Sequence, residues 1–446
     1  MITLLLFAPV VLLGGCLGAW RIYRSLAAGG TALIGVMVWN AITVEPAPMN
    51  LAGFHVYVDD LVALALAAAA LLRLAPNSGA LRRLQAWWGF GAAIVLAFAL
   101  GAAVHGIKAA GVEFRQFFYF AAAIVYAASF PLHAGTLRQL ARVWLGGCAA
   151  LLALALFRWM AVALQLGIAS TWATVGAGQP MRVLNAAHAL FLAQGLLLLV
   201  YYSGRGGTWR LFVYALAGSV VLLQHRSVWV ALLVSAGALC YRERMFRPFL
   251  AAASVLVAAA GLAVVAAPER VTLENEVARS LVASVEEPFD LDRSSFGWRL
   301  LMWQEYVREF LELSPIRKVT GVGFGNQGAY EVAEGESAVS AHNIYIYTLN
   351  RTGVLGLATL LLGYAALWRR VRIPATIRGA VPWNPSNLLF AILVGQLTYF
   401  TVYSPAADQG LLTGAMTAVP ALWCRFEASP VADGEEEEAA VAAGVV

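Results

Sequence analysis

The sequence predicts an all-α fold: a polytopic transmembrane helical bundle of about 12 to 13 spans, with one large extracytoplasmic loop containing short helices. Three observations carry this. The 446 residues are 61% hydrophobic and only 12% charged, with a mean hydropathy of +0.73; a soluble domain carries about 25% charged residues. The apolar residues come in blocks of roughly 18 to 22, long enough for a helix to cross about 30 Å of hydrocarbon. One long polar stretch, 267–341, interrupts the series.

In chain order, spans are expected near 2–20, 28–43, 57–75, 86–104, 116–132, 142–163, 183–202, 211–224, 227–241 and 249–266, and then near 342–366, 386–403 and 409–424. The chain so divides into an N-terminal bundle (1–266), a loop (267–341), C-terminal helices (342–425) and a disordered cytoplasmic tail (426–446) with its run Glu435–Glu438. Met1 to Trp20 lacks the basic start of a signal peptide and reads as a span that stays. The four cysteines lie in or beside apolar blocks and form no CxxC, so neither a metal site nor a disulfide framework is indicated.

Charge sets the orientation, because short connections rich in Lys/Arg stay in the cytoplasm. Seventeen of the 30 Lys+Arg fall at alternate connections, among them Arg73/Arg82/Arg83, Arg242/Arg244/Arg247 and Arg369/Arg370/Arg372. Segment 267–341 holds 7 Lys+Arg against 13 Asp+Glu and so faces outward, together with His342 where the chain re-enters the apolar helix. Thirteen spans put the N-terminus outside, and twelve put it inside.

The loop is too short for a large core of its own and is expected to lie on the bundle. Ser295 to Leu313 reads as a helix. Phe296, Leu300, Trp303, Val307 and Phe310 form its apolar stripe, and Glu305, Arg308, Glu309 and Glu312 its polar face. Arg299 and Trp303 are one turn apart, which allows a cation against an aromatic ring. A second helix is expected over Thr272 to Val285.

Arg115, Arg182 and Arg226 sit at outward span ends, against the usual charge rule. Either they snorkel to headgroups, or they meet a phosphate-bearing ligand through forked donors. His342 is either a plain interfacial histidine or a base at the water boundary. His188 and His225 read as satisfied polar groups, and Asp59-Asp60 as an N-cap pair. Gly321-Val322-Gly323-Phe324-Gly325-Asn326 lacks the Lys-Ser/Thr of a phosphate loop and reads as a turn.

Taken in order, Gly-x-Gly-x-Gly, then His342-Asn343-x-Tyr345, then Gly353-x-x-Gly356 resembles the bacterial O-antigen ligase and polymerase superfamily. Gln224-His225-Arg226-Ser227-Val228-Trp229 is similar to that family's Ser-Arg-type motif, and Arg299-x-x-x-Trp303 to the stretch before its Gly-rich turn. The resemblance covers roughly 180–360 by motif. One departure is Arg351, where many relatives place an acid; it either binds phosphate or pairs with a carboxylate elsewhere.

The resemblance implies glycosyl transfer at the periplasmic face of the bacterial cell inner membrane. The donor is then an undecaprenyl-pyrophosphate-linked glycan, and the acceptor is lipid A–core (ligase) or a lipid-linked glycan (polymerase), with a slight lean to ligase. His342 is the expected general base, and Arg226 and Arg299 the catalytic cations on the leaving pyrophosphate. Arg182, Asn343, Trp303, Tyr345 and Arg351 are the expected substrate-binding residues. A metal-free, cofactor-free site is expected. The partners implied are lipid-linked glycans and membrane lipids, not nucleic acid. A transporter, whose folds often show internal repeats, and a non-catalytic scaffold are the competing readings.

Overall fold

The computed structural model describes residues 14–43, 48–51, 54–132, 134–164, 166, 183–202, 207–223, 225–244, 295–326, 330–333, 336–338, 341–372 and 385–419. The fold is an all-α bundle of apolar helices, as the composition predicts. Among the described residues, a helical run over 14–24 is followed by α1 (Leu26–Thr43), α2 (Val58–Leu74), α3 (Ser78–Leu84), α4 (Trp88–His105), α5 (Ile107–Ser129), α6 (Ala134–Ala163), α7 (Ala186–Tyr202), α8 (Gly207–Leu222) and α9 (Arg226–Arg242). After the polar segment come α10 (Ser295–Glu312), α11 (Pro315–Thr320), α12 (Ile344–Val371), α13 (Pro385–Tyr399) and α14 (Ala407–Ala418). Two small antiparallel hairpins were not foreseen: β1 (Met49–Leu51) with β2 (Phe54–Val56), and β3 (Tyr330–Ala333) with β4 (Glu336–Ala338).

Among the described residues, four helical stretches are long and apolar enough to cross a membrane: Leu26–Thr43, Ser78–His105, Gly135–Ala161 and Ile344–Val371. Shorter apolar helices stand beside them, and large side chains such as Leu64, Leu72, Val95 and Leu362 are exposed on the outer faces, as lipid contact requires. The expected span 249–266, the helix 272–285, the tail 426–446 and Arg182 lie outside the described residues. Two helices begin earlier than expected. α5 starts at Ile107 rather than near 116, and α6 at Ala134 rather than near 142, because their first turns are polar yet helical.

Between helices that are apolar all round, periodicity does not say which face packs. Small residues do, since they let backbones approach. Gly410 and Gly414, four apart on α14, lie against the Phe120 and Ile124 carbonyls of α5. Gly395 of α13 lies against Ala231 and Ser235 of α9, and Arg242 donates to Asn387 at the far end of the same antiparallel pair at 3.0 Å. Basic groups gather at that far end, where Arg73 donates to the Tyr23 carbonyl and Arg370 to the Arg83 carbonyl.

At the opposite end the glycine motif proves to be a strap. Gly321, Gly323 and Gly325 all take positive φ (79°, 82° and 96°). The strap threads between α4, α5 and a break in α12 at Gly353, whose φ is 70°. The break leaves the carbonyls of Asn350 and Arg351 open, and the Val322 and Gly323 N–H groups bond them at 3.0 and 3.1 Å, while the Phe324 N–H bonds the Ala97 carbonyl. Irregular backbone inside a membrane protein survives only when satisfied in this way. A Cβ on Gly353 would overlap the Val319 carbonyl, and one on Gly101 the Phe324 carbonyl. Gly353→Ala is therefore expected to lower stability by about 1–3 kcal/mol from its positive-φ backbone alone. Thermal unfolding of the purified protein in detergent checks this.

Candidate active site

The site begins with how the sequence starts α12. Asn343 caps the helix: its Oδ1 accepts from the Tyr345 and Ile346 N–H groups at 2.9 and 3.1 Å, as a short polar side chain does at an N-terminus. Its Nδ2 donates to the Thr401 carbonyl at 2.8 Å, and the Ile344 N–H bonds the Phe400 carbonyl. The mouth of α12 is thereby tied to the turn after α13. Tyr345 adds a third tie, its hydroxyl donating to the Leu397 carbonyl at 3.1 Å.

His342, just outside the cap, has a positive φ of 44°, a conformation that non-glycine residues rarely hold. Its half-buried ring lies 6.2 Å from the Trp298 ring and 6.3 Å edge-on from Tyr403. Arg299 reaches the same place from α10: its Nη2 donates to the Tyr403 hydroxyl at 3.3 Å, and its guanidinium stands 4.9 Å from that ring. Tyr403, which sequence reasoning missed, is thus the aromatic partner of Arg299 in place of Trp303. Trp303 instead donates its indole N–H to the Ala341 carbonyl at 2.7 Å and so holds the residue preceding His342. Burial, reinforced by the Arg299 charge, pushes the His342 pKa below the ordinary histidine value of 6.5. This shift favours the neutral ring at neutral pH.

Arg226 opens α9. Because α9 and α13 pair antiparallel, with Gly395 at Ala231 and Ser235 and Asn387 at Arg242, Arg226 lies toward the bundle end at which α13 finishes and α12 begins. The preceding His225 bonds the Leu184 carbonyl through Nε2 at 2.9 Å, anchoring the start of α9 to the start of α7.

The helix 295–312 is turned relative to the expected stripe. Met302 and Tyr306 face the core, while Leu301, Val307 and Leu311 are exposed. Glu309, assigned to the polar face by spacing, departs from that face. It turns inward and accepts from Asn350 Nδ2 at 2.9 Å. Arg351, only 1% exposed, takes the carboxylate-pairing alternative: its Nε meets Glu113 Oε1 at 2.6 Å, with Nη1 on Asn350 and Nη2 on the Asn326 carbonyl. Glu113 also accepts from the Tyr347 hydroxyl and the Gly325 N–H. The phosphate-binding alternative for Arg351 has no support in this geometry, since all of its nitrogens are engaged within the protein. Glu113 was missed because it was assigned to a connection; inside a helix an ionisable residue draws attention at once. Arg115 is neutralised by Asp60 at 2.9 Å.

Residues 211–361 match the model of the family described as Wzy_C, O-Antigen ligase. The match supports the resemblance to the O-antigen ligase and polymerase superfamily, and it contains Arg226, Arg299, Trp303, His342, Asn343, Tyr345 and Arg351. No curated protein matches the chain.

Proposed function

With an O-antigen ligase segment at 211–361 as premise, we propose that this chain is a metal-independent glycosyltransferase acting at the periplasmic face of the inner membrane. The donor is a glycan on undecaprenyl pyrophosphate, and the acceptor hydroxyl belongs to lipid A–core. His342 takes the proton of that hydroxyl as its oxygen attacks the anomeric carbon of the donor sugar. The bond from that carbon to the pyrophosphate oxygen breaks, and undecaprenyl pyrophosphate leaves with the electron pair. Arg226 and Arg299 hold it and offset the charge that develops on it. Asn343 and Trp303 position His342, and Tyr345 fixes the helix that bears it. Arg182, which lies outside the described residues, adds a further cation to the leaving group in this reading.

The observation that supports this most is the meeting of His342 and Arg299 on Tyr403, at the bundle end opposite the arginine-rich one. The neutral imidazole supports a base role, and guanidinium groups supply the positive charge that a leaving pyrophosphate needs. The experiment is purified protein with an undecaprenyl-pyrophosphate glycan and either acceptor. Transfer to lipid A–core bears out the ligase. Transfer only to lipid-linked glycan makes the chain a polymerase with the same site, and carrier movement without a new glycosidic bond makes it a transporter. EDTA is expected to leave the rate unchanged.

The lowered His342 pKa gives a pH prediction. The active form is the neutral ring, so kcat/KM is expected to fall on the acid side through an apparent pKa below 6.5 and to be flat above it until another group titrates. A midpoint at or above 6.5 contradicts the assignment.

A further inference from the structure

Beside this site lies a cavity of about 470 Å³ that none of the residues above explains. Its walls are the same-end termini of five helices: Asn40 closing α1, Asp59 opening α2, Arg115 on α5, Asn185 and His188 at the start of α7, and Asp408 at the start of α14. All six lie outside the segment 211–361.

Much of the cavity wall is apolar, from Leu33, Met37, Val62 and Leu66 among others, and its charged side chains leave it net negative. Arg115 is taken up by Asp60. Asp59 is held by the Asn40 amide at 3.0 and 2.8 Å, and Asp408 by the Gln409 amide at 2.6 Å. Among the described residues neither Asp59 nor Asp408 has a cation within ion-pair distance. His188 is 7% exposed, and its Nδ1 has no hydrogen-bond partner among the described residues; the same is true of Asn40 Oδ1. Both atoms have almost no accessible surface, so they lie behind the cavity wall and not on it.

We propose that this cavity binds the hydroxyl-bearing sugars of the acceptor glycan, with Asp59, Asp408 and Asn185 as its hydrogen-bond partners. Carboxylates and amides suit hydroxyl groups, whereas two carboxylates beside a cavity repel a phosphate. The two substrates are thereby sorted by charge: the pyrophosphate to the arginines, the uncharged sugars to the acids. The cavity joins the proposed reaction centre on both sides. Asp408 follows Tyr403 by five residues, across a turn pinned by the bond from Gln116 to the Pro405 carbonyl at 3.1 Å. Asn185 follows Leu184, whose carbonyl anchors His225 beside Arg226. This inference rests on the glycosyltransferase reading above.

The test is steady-state transfer by the full chain in nanodiscs. The undecaprenyl-pyrophosphate glycan is held at saturation, and lipid A–core is titrated in one arm and lipid-linked glycan in the other. Asp59→Asn removes a partner, and Ala63→Leu fills the cavity from α2 without touching a charge. The acceptor KM of each is expected to rise at least ~5-fold, with donor KM and saturating kcat near wild type, the pattern of lost ground-state binding. Unchanged acceptor KM in both variants, or a rise in donor KM instead, overturns the proposal. Should Asp59→Asn fail to accumulate, Ala63→Leu still decides. Wild-type protein and His342→Ala run alongside. If wild type transfers to neither acceptor, or His342→Ala remains active, the glycosyltransferase reading itself has failed. If those controls behave and the cavity variants match wild type, only the cavity assignment falls.

Discussion

His342→Asn is expected to lower kcat by about 10²–10⁴-fold, the usual contribution of a positioned general base, while the protein accumulates in the membrane at the wild-type level. Asparagine is the sharper test than alanine. The backbone at 342 sits at φ 44°, and asparagine holds that region better than other non-glycine residues. A loss in His342→Asn is then a loss of imidazole chemistry and not of the turn. Arg299→Ala is expected to fall comparably, and more than its contact with Tyr403 alone explains, because its proposed partner is the leaving group. Transfer at near wild-type rate in both variants removes the assigned site.

The largest effect on stability is expected away from the chemistry, at Glu113. Glu113→Ala leaves the Arg351 guanidinium charged and enclosed, and it also strips partners from the Tyr347 hydroxyl and the Gly325 N–H. Breaking a buried pair from one side costs about 3–5 kcal/mol. Glu113→Ala should therefore lower the thermal unfolding temperature and the yield sharply. Glu113→Gln combined with Arg351→Met should recover much of the loss, because no uncompensated charge remains. If the single and double variants unfold together, the pair does not hold the strap to α12.

The fold class was legible in the sequence because burial in lipid leaves a compositional mark that needs no alignment. The apolar blocks and the alternation of arginines between connections sufficed. Where a face had to be chosen, the sequence said less. The stripe on 295–312 was misread, and with it Glu309, whose partner Asn350 lies on another helix. Likewise the acid that balances Arg351 comes from Glu113, 238 positions away, and no local spacing announces such a pairing. Small residues were the neglected signal: Gly410-x-x-x-Gly414 marks the α5–α14 contact, and the alternate glycines 321, 323 and 325 are read correctly once each is seen to have no room for a Cβ. Of the expected site, His342, Asn343 and Arg299 are brought together, Trp303 supports them from behind, and Arg351 belongs to a structural pair. Tyr403, which joins Arg299 to His342, follows no motif and becomes visible only in three dimensions.

In the proposed reaction Arg226 and Arg299 hold a polyprenyl pyrophosphate at one bundle end, beside the His342 imidazole. Equilibrium binding of undecaprenyl pyrophosphate to the full chain in nanodiscs tests it most directly, with wild type compared with Arg226→Ala and Arg299→Ala. Each variant should bind at least ~10-fold more weakly, since a charge-assisted contact to an anion is worth about 1.5–3 kcal/mol. Affinity that does not change when either arginine is removed would contradict the account.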